Sequence, residues 1–144
     1  MLRIVFGVVA ALLLWLLPSV QPSFASLSSQ ASLAPAPETA AVVEHLRIHV
    51  PTQARAVWMK AEKGSWEPWL AQQDGFLGRD LLWDPETEEG TLLIRWASRE
   101  QWKAIPLAEV ARVQERFEAL AREGTGQLEG NPFPLVFEGE LLPQ

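Results

Sequence analysis

The sequence predicts an α+β fold of the ferredoxin-like type, β-α-β-β-α-β, in which a four-stranded antiparallel sheet carries two helices on one face. Three observations lead there. Stretches with a side-chain period of two recur near residues 42–50, 91–97 and 135–142, and an extended run at 76–83 adds a fourth strand. Two stretches with helical spacing separate the first strand from the second and the third from the fourth. The second and third strands are joined only by a short loop rich in turn formers. That order is a split β-α-β unit repeated, which predicts the strand order fourth, first, third, second and right-handed crossovers.

The chain opens with Arg3, an unbroken apolar run from Ile4 to Leu17, Pro18 as a stop, and Ser23-Phe24-Ala25, which places small residues where a signal peptidase cuts. Residues 1–25 therefore read as a secretory signal peptide cleaved after Ala25. At 1.5 Å per residue the apolar run spans roughly 21 Å, short of the ~30 Å hydrocarbon core, so retention of residues 4–17 as a membrane anchor is the weaker alternative. Residues 26–41 are mostly Ala, Ser and Pro with Glu38 as the single charge, which makes them a flexible linker. Residues 42–144 remain as one folded domain.

Within that domain Val42 to Val50 alternates, with Glu44, Leu46, Ile48 and Val50 on one side and Val43, His45, Arg47 and His49 on the other. Pro51 ends the strand, and Thr52 is expected to cap a helix whose stripe is Ala54, Val57, Trp58, Ala61, Trp69 and Leu70. Gly64 and Pro68 should kink or split that helix. Gly75 supplies a residue tolerant of positive φ, and Phe76 to Trp83 forms the second strand. Asp84 to Gly90 is a solvated hairpin loop and Thr91 to Ala97 the third strand. Ser98 and Gln101 form a capping box for the second helix, which Pro106 interrupts and Gly124 should end. After a loop, Leu135 to Leu142 is the last strand, and continuous alternation puts Leu135 and Phe137 on the helix side and Glu138 and Glu140 on the other.

Composition narrows the function. The formal charge is -6, about -7 without the leader, and the twelve Lys and Arg are scattered, which disfavours nucleic acid and anionic lipid as partners. Cysteine is absent, removing disulfides, thiolate metal sites and a Cys nucleophile. His45 and His49 lie on a strand about 13 Å apart, too far to share one metal, so no metal site is expected. No Ser-His-Asp arrangement, phosphate loop or dinucleotide fingerprint is present, and no cofactor is expected. Most of the six tryptophans beyond the leader suit a core; Trp66 and Trp83 could instead form a stacking platform.

Glu44-His45-Leu46-Arg47, Trp66-Glu67-Pro68-Trp69-Leu70, Gly75-Phe76-Leu77-Gly78 and Ile94 through Trp102 together resemble a small group of exported proteins of photosynthetic bacteria, similar in turn to the antibiotic-biosynthesis-monooxygenase-like dimeric α/β barrels. The resemblance covers residues 42–142. It implies a homodimer that closes a barrel through its helix-free sheet faces, and localisation to the periplasm or thylakoid lumen. Haem-degrading members of the superfamily use a strand Asn, a helix Trp and a His about ten residues further on the second helix. Both histidines here lie on the first strand, so the axial ligand is missing. Cofactor-free monooxygenases of quinol-like substrates need little beyond a shaped pocket. The helix-free face is the expected site, carrying His45, Arg47, His49, Asp80, Arg95, Glu138 and Glu140, with Arg95 facing Asp80 and Arg47 facing Glu138 or Glu140. Such a face would bind an anionic or hydrogen-bonding small molecule, or serve as a structural ion-pair network at the dimer interface. Cofactor-independent monooxygenase or isomerase chemistry in the barrel cavity is the alternative function.

Overall fold

Val42–His49 forms strand β1, whose inward Val42, Leu46 and Ile48 pack beneath the helices. The computed structural model describes residues 39–144; the predicted signal peptide and nearly all of the linker lie outside the described residues. A single 3-10 turn, Thr52–Ala54, follows and leads into helices α1 (Arg55–Gly64) and α2 (Trp66–Leu70). Strands β2 (Phe76–Asp84) and β3 (Glu89–Trp96) form the hairpin, then come helices α3 (Arg99–Lys103) and α4 (Leu107–Thr125) and strand β4 (Leu135–Leu141). The sheet order is β2-β3-β1-β4 with all pairs antiparallel, the predicted ferredoxin-like order. Among the described residues no helix is long and apolar enough to cross a membrane.

Each helical connection is broken once. The first breaks at Ser65, whose backbone leaves helical geometry, while Pro68 sits in the first turn of α2, where its missing N–H is not needed. The second breaks before Pro106, and Ser98 caps α3 by accepting the Gln101 N–H at 3.1 Å. Two predicted helix ends differ. Thr52 does not cap a helix: its hydroxyl and its N–H donate to Glu88 Oε1 at 2.6 and 2.8 Å, tying the hairpin turn to the start of the helical segment. Gly124 does not end α4, which runs to Thr125 and closes on Gly126 at φ 75. Gly124 instead lies against Val57, where a Cβ would collide with the valine methyls.

The core lies between the sheet and the helices in two groups. One gathers around Trp58 with Ile48, Val50, Leu92, Phe117 and Phe133; the other gathers around Trp96 with Val42, Leu70, Ile94 and Trp102. Leu46 touches both. Trp58 and Trp96 are each 1% exposed, so each removes about 200 Å² from water, worth roughly 5 kcal/mol before ordering entropy opposes it.

Two bulges set which side chains meet the helices. In β2 the pairing passes from Phe76↔Trp96 to Gly78↔Arg95, leaving Leu77 as the extra residue. In β4 it passes from Ile48↔Leu135 to Arg47↔Phe137, leaving Val136 extra. Beyond Val136 the alternation is inverted. Phe137 therefore lies on the helix-free face with Arg47, and Glu138 and Glu140, paired with Leu46 and Glu44, lie on the helix side, the reverse of the prediction from continuous alternation.

Candidate functional site

Between the two core groups the sheet and helices form a cavity of about 400 Å³ that opens to solvent, with Leu107, Leu135 and Glu138 exposed at its rim. Its floor is the inward face of β1 and β3, with Glu44, Leu46, Ile48, Leu92, Ile94 and Trp96. Over it α2 sets Trp66 and Trp69, and α3 sets Trp102 and Lys103. Helix α4 adds Val110, Gln114 and Phe117, while Leu135 and Glu138 form the β4 side. The short helices explain why so many indoles converge. Trp66 and Trp69 are three apart on α2 and share a face, with ring centroids 5.6 Å apart in a T-shaped pair. Trp102 stacks on Trp96 of β3 with planes 10° apart and centroids 6.5 Å apart. The Lys103 ammonium sits 3.5 Å from the centre of the Trp102 ring.

Few polar groups enter this apolar space. Glu44 is the exception on the floor, standing between Val42 and Leu46 on the inward side of β1. The Trp96 indole N–H donates to its Oε2 at 3.4 Å. Burial pushes the Glu44 carboxyl up to about 7; the Trp96 hydrogen bond opposes that, Glu138 and Glu140 add to it and Lys103 moderates it. Glu140, opposite Glu44 in the ladder, is held below the usual carboxylate range because the Arg99 guanidinium grips both its oxygens, at 2.9 and 3.0 Å, with Lys103 3.6 Å away.

On the β2 side Arg79 and Glu62 line the same cavity as a buried ion pair, with Nη1 2.5 Å from Oε2. Trp58 Nε1–H donates to the other Glu62 oxygen at 3.2 Å, and Glu67 lies 3.5 Å from Arg79. Burial drives the Glu62 carboxyl above its ordinary value, and the Arg79 charge pulls against it. Arg79 thus takes the helix side by its pairing with Ile94, and the bulge at Leu77 lies just before it.

The residues predicted from sequence divide. His45, Arg47, His49, Asp80 and Arg95 lie on the helix-free face, and none of them lines the cavity. Arg95 forms the expected ion pair with Asp80. Arg47 does not reach Glu138 or Glu140; it pairs with Glu89 at 3.0 Å and lies over the Phe137 ring, which also meets His45 at 5.0 Å between centroids. Glu138 lines the cavity and Glu140 stands at its edge with α3, because the Val136 bulge turns both inward. Glu44 and the Arg79–Glu62 pair were not predicted as site residues. The signal for Glu44 was present in the sequence, a carboxylate on the apolar side of an alternating strand; Glu62 reads from sequence as an ordinary helix-surface acid.

A four-stranded antiparallel sheet in this order, covered on one face by helices, is a ferredoxin-like α+β fold, and its neighbours among solved structures have the antibiotic-biosynthesis-monooxygenase fold. Among solved structures the chain is similar to a monooxygenase from the ActVA-Orf6 gene of Streptomyces coelicolor, in complex with the ligand nanaomycin D. The two are 17% identical over 73% of this chain and 88% of that one, with a TM-score of 0.54, a likeness of fold. It is also similar to the haem degrader MhuD of Mycobacterium tuberculosis, with two haems bound in its active site, at 22% identity over 71% of this chain and 94% of that one, with a TM-score of 0.46. No protein-family model matches the sequence, and no curated protein matches it.

Proposed function

We propose that this chain is an exported protein that binds a small organic molecule in the tryptophan-lined cavity between sheet and helices, and that pairs with a second copy through its helix-free face. The observation that carries the reading is the cavity. Its volume of about 400 Å³ lies in the range of ligand pockets, and its walls are largely indole and aliphatic with a few inward polar groups. The Streptomyces monooxygenase of the same fold, in complex with nanaomycin D, supports a ligand of that general kind. The leader supports export. The helix-free face supports pairing, because Leu82, Phe137 and Leu141 stand exposed there among the Arg47–Glu89 and Arg95–Asp80 pairs.

Glu44 favours a second reading, a cofactor-independent monooxygenase or isomerase. A carboxyl titrating near 7 beside an apolar cavity can take a proton from a carbon acid or phenol, with dioxygen as the second reactant in the oxygenase case. Native mass spectrometry of protein purified without refolding is the test of the binding reading. It should show a dimer carrying a defined adduct. Val110→Trp, which places an indole in the cavity, should remain dimeric and lose the adduct. An adduct that persists in this variant would put the ligand elsewhere. If the protein is an enzyme, Glu44→Gln should keep the adduct and stop its turnover.

A further inference from the structure

We propose that the cavity selects an organic cation, an ammonium group on an apolar body, held between its indole rings and the carboxylates of Glu44 and Glu138. This deepens the binding reading and rests on it.

Charge bookkeeping inside the cavity leads to this class. Arg79 is matched by Glu62 at 2.5 Å and by Glu67 at 3.5 Å. Lys103 is turned toward Glu140 at 3.6 Å, and Arg99 grips the same carboxylate from outside. Glu44 is left with only the long Trp96 N–H contact, and Glu138 makes no ion pair among the described residues. An anion entering here would meet two carboxylates while both nearby cationic groups are already paired. A neutral apolar ligand would leave the Glu44 carboxyl with only that long contact, a polar group without a strong hydrogen-bond partner against an apolar wall.

The protein also shows the motif once at the cavity's edge. The Lys103 ammonium lies 3.5 Å from the Trp102 ring centre and 3.6 Å from a Glu140 oxygen, a cation between an indole and a carboxylate. The interior offers the same two kinds of group, the Trp66 and Trp69 indoles from α2 and the Glu44 carboxylate from β1, lining one cavity.

Binding is then coupled to protons. The charged groups facing Glu44 are Glu138 and Glu140 from β4 and Lys103 from α3, with Arg99 behind Glu140; β3 presents the Trp96 indole, α4 only the neutral Gln114, and β2 and α1 the mutually paired Arg79 and Glu62. Burial raises the Glu44 carboxyl to about 7, and a bound cation favours its ionised form. Below neutral pH the cation therefore has to displace a proton, and its affinity falls as pH falls.

The test compares phenyltrimethylammonium with tert-butylbenzene, which has the same shape without the charge, by quenching of tryptophan fluorescence in the intact protein. At about pH 8 the cation should bind at least ~10-fold more tightly, and the preference should shrink to below ~3-fold near pH 5.5. Glu44→Gln should abolish the preference and its pH dependence and leave tert-butylbenzene affinity unchanged, while Glu138→Gln should reduce the preference. Equal binding of the two probes at pH 8 overturns the cation inference and leaves the cavity reading standing. Absence of quenching by either probe overturns both.

Discussion

Glu44 occupies a position where its neighbours along β1, Val42 and Leu46, face a core. The fold favours its neutral form, so the sign of its effect on stability is opposite to that of a salt-bridged acid. With its folded value near 7 against an ordinary 4.5, the stabilisation is complete below the ordinary value and is lost as pH rises through 7. The loss is on the order of 2 kcal/mol for a group of this burial. Urea midpoints of the ligand-free protein should therefore decline between about pH 5 and 8, and Glu44→Gln should make that decline shallower, the buried Glu62 carboxyl, also raised, contributing in the same direction. Asp84, Glu88 and Glu140 do not blur the window. Their carboxyls are held low by hydrogen bonds, so their contributions are present above the ordinary carboxyl range and disappear only in acid.

At the scale of elements, part of the turn and cap chemistry is legible in the chain, whereas the role of Thr52, the end of α4 and the phase of β4 are not. Ser98 capping α3, Gly75 at φ 81 and the breaks near Gly64 and Pro106 each follow from a local rule that needs no knowledge of the rest of the molecule. The end of α4 shows how two nearby glycines can divide the work. Gly126 takes the left-handed position and a Cβ there would meet nothing, so Gly126→Ala should cost about 1 kcal/mol from backbone strain alone, read as a drop in melting temperature. Gly124→Ala should cost more, because it must push α4 off Val57. The facing of Phe137, Glu138 and Glu140 depends instead on how Val136 is accommodated against β1, a tertiary pairing that strand periodicity does not encode. Alternation read without that extra residue places a phenylalanine inside and two carboxylates outside, the reverse of the observed pairing. Alternation does place Arg79 on the helix side, as observed, but its partner Glu62 sits on a helix seventeen residues earlier, a pairing that strand periodicity does not encode.

For the whole molecule, the sheet separates two environments. One side is the cavity with its indoles and unpaired acids, and the other carries two half-exposed ion pairs among exposed aliphatic and aromatic groups. If the second side is where copies meet, Phe137→Asp should shift the protein to monomers in sedimentation experiments and leave the tryptophan environment of the cavity unchanged, since Phe137 lies with His45 and Arg47 on the face away from the cavity. The Val136 bulge gives this division an evolutionary consequence. Losing Val136 would remove the bulge and leave the facing as it is, since Leu135 and Phe137 already lie opposite Ile48 and Arg47; drawing Val136 into the ladder opposite Arg47 would instead bring the phenylalanine under the helices and turn both glutamates toward the outer face. A slip of β4 by one residue against β1 would thus exchange the chemistry offered to a ligand with that offered to a neighbour, with the chain length unchanged. Lineages that share this sheet can diverge in what they hold and what they assemble with by one change in strand phase.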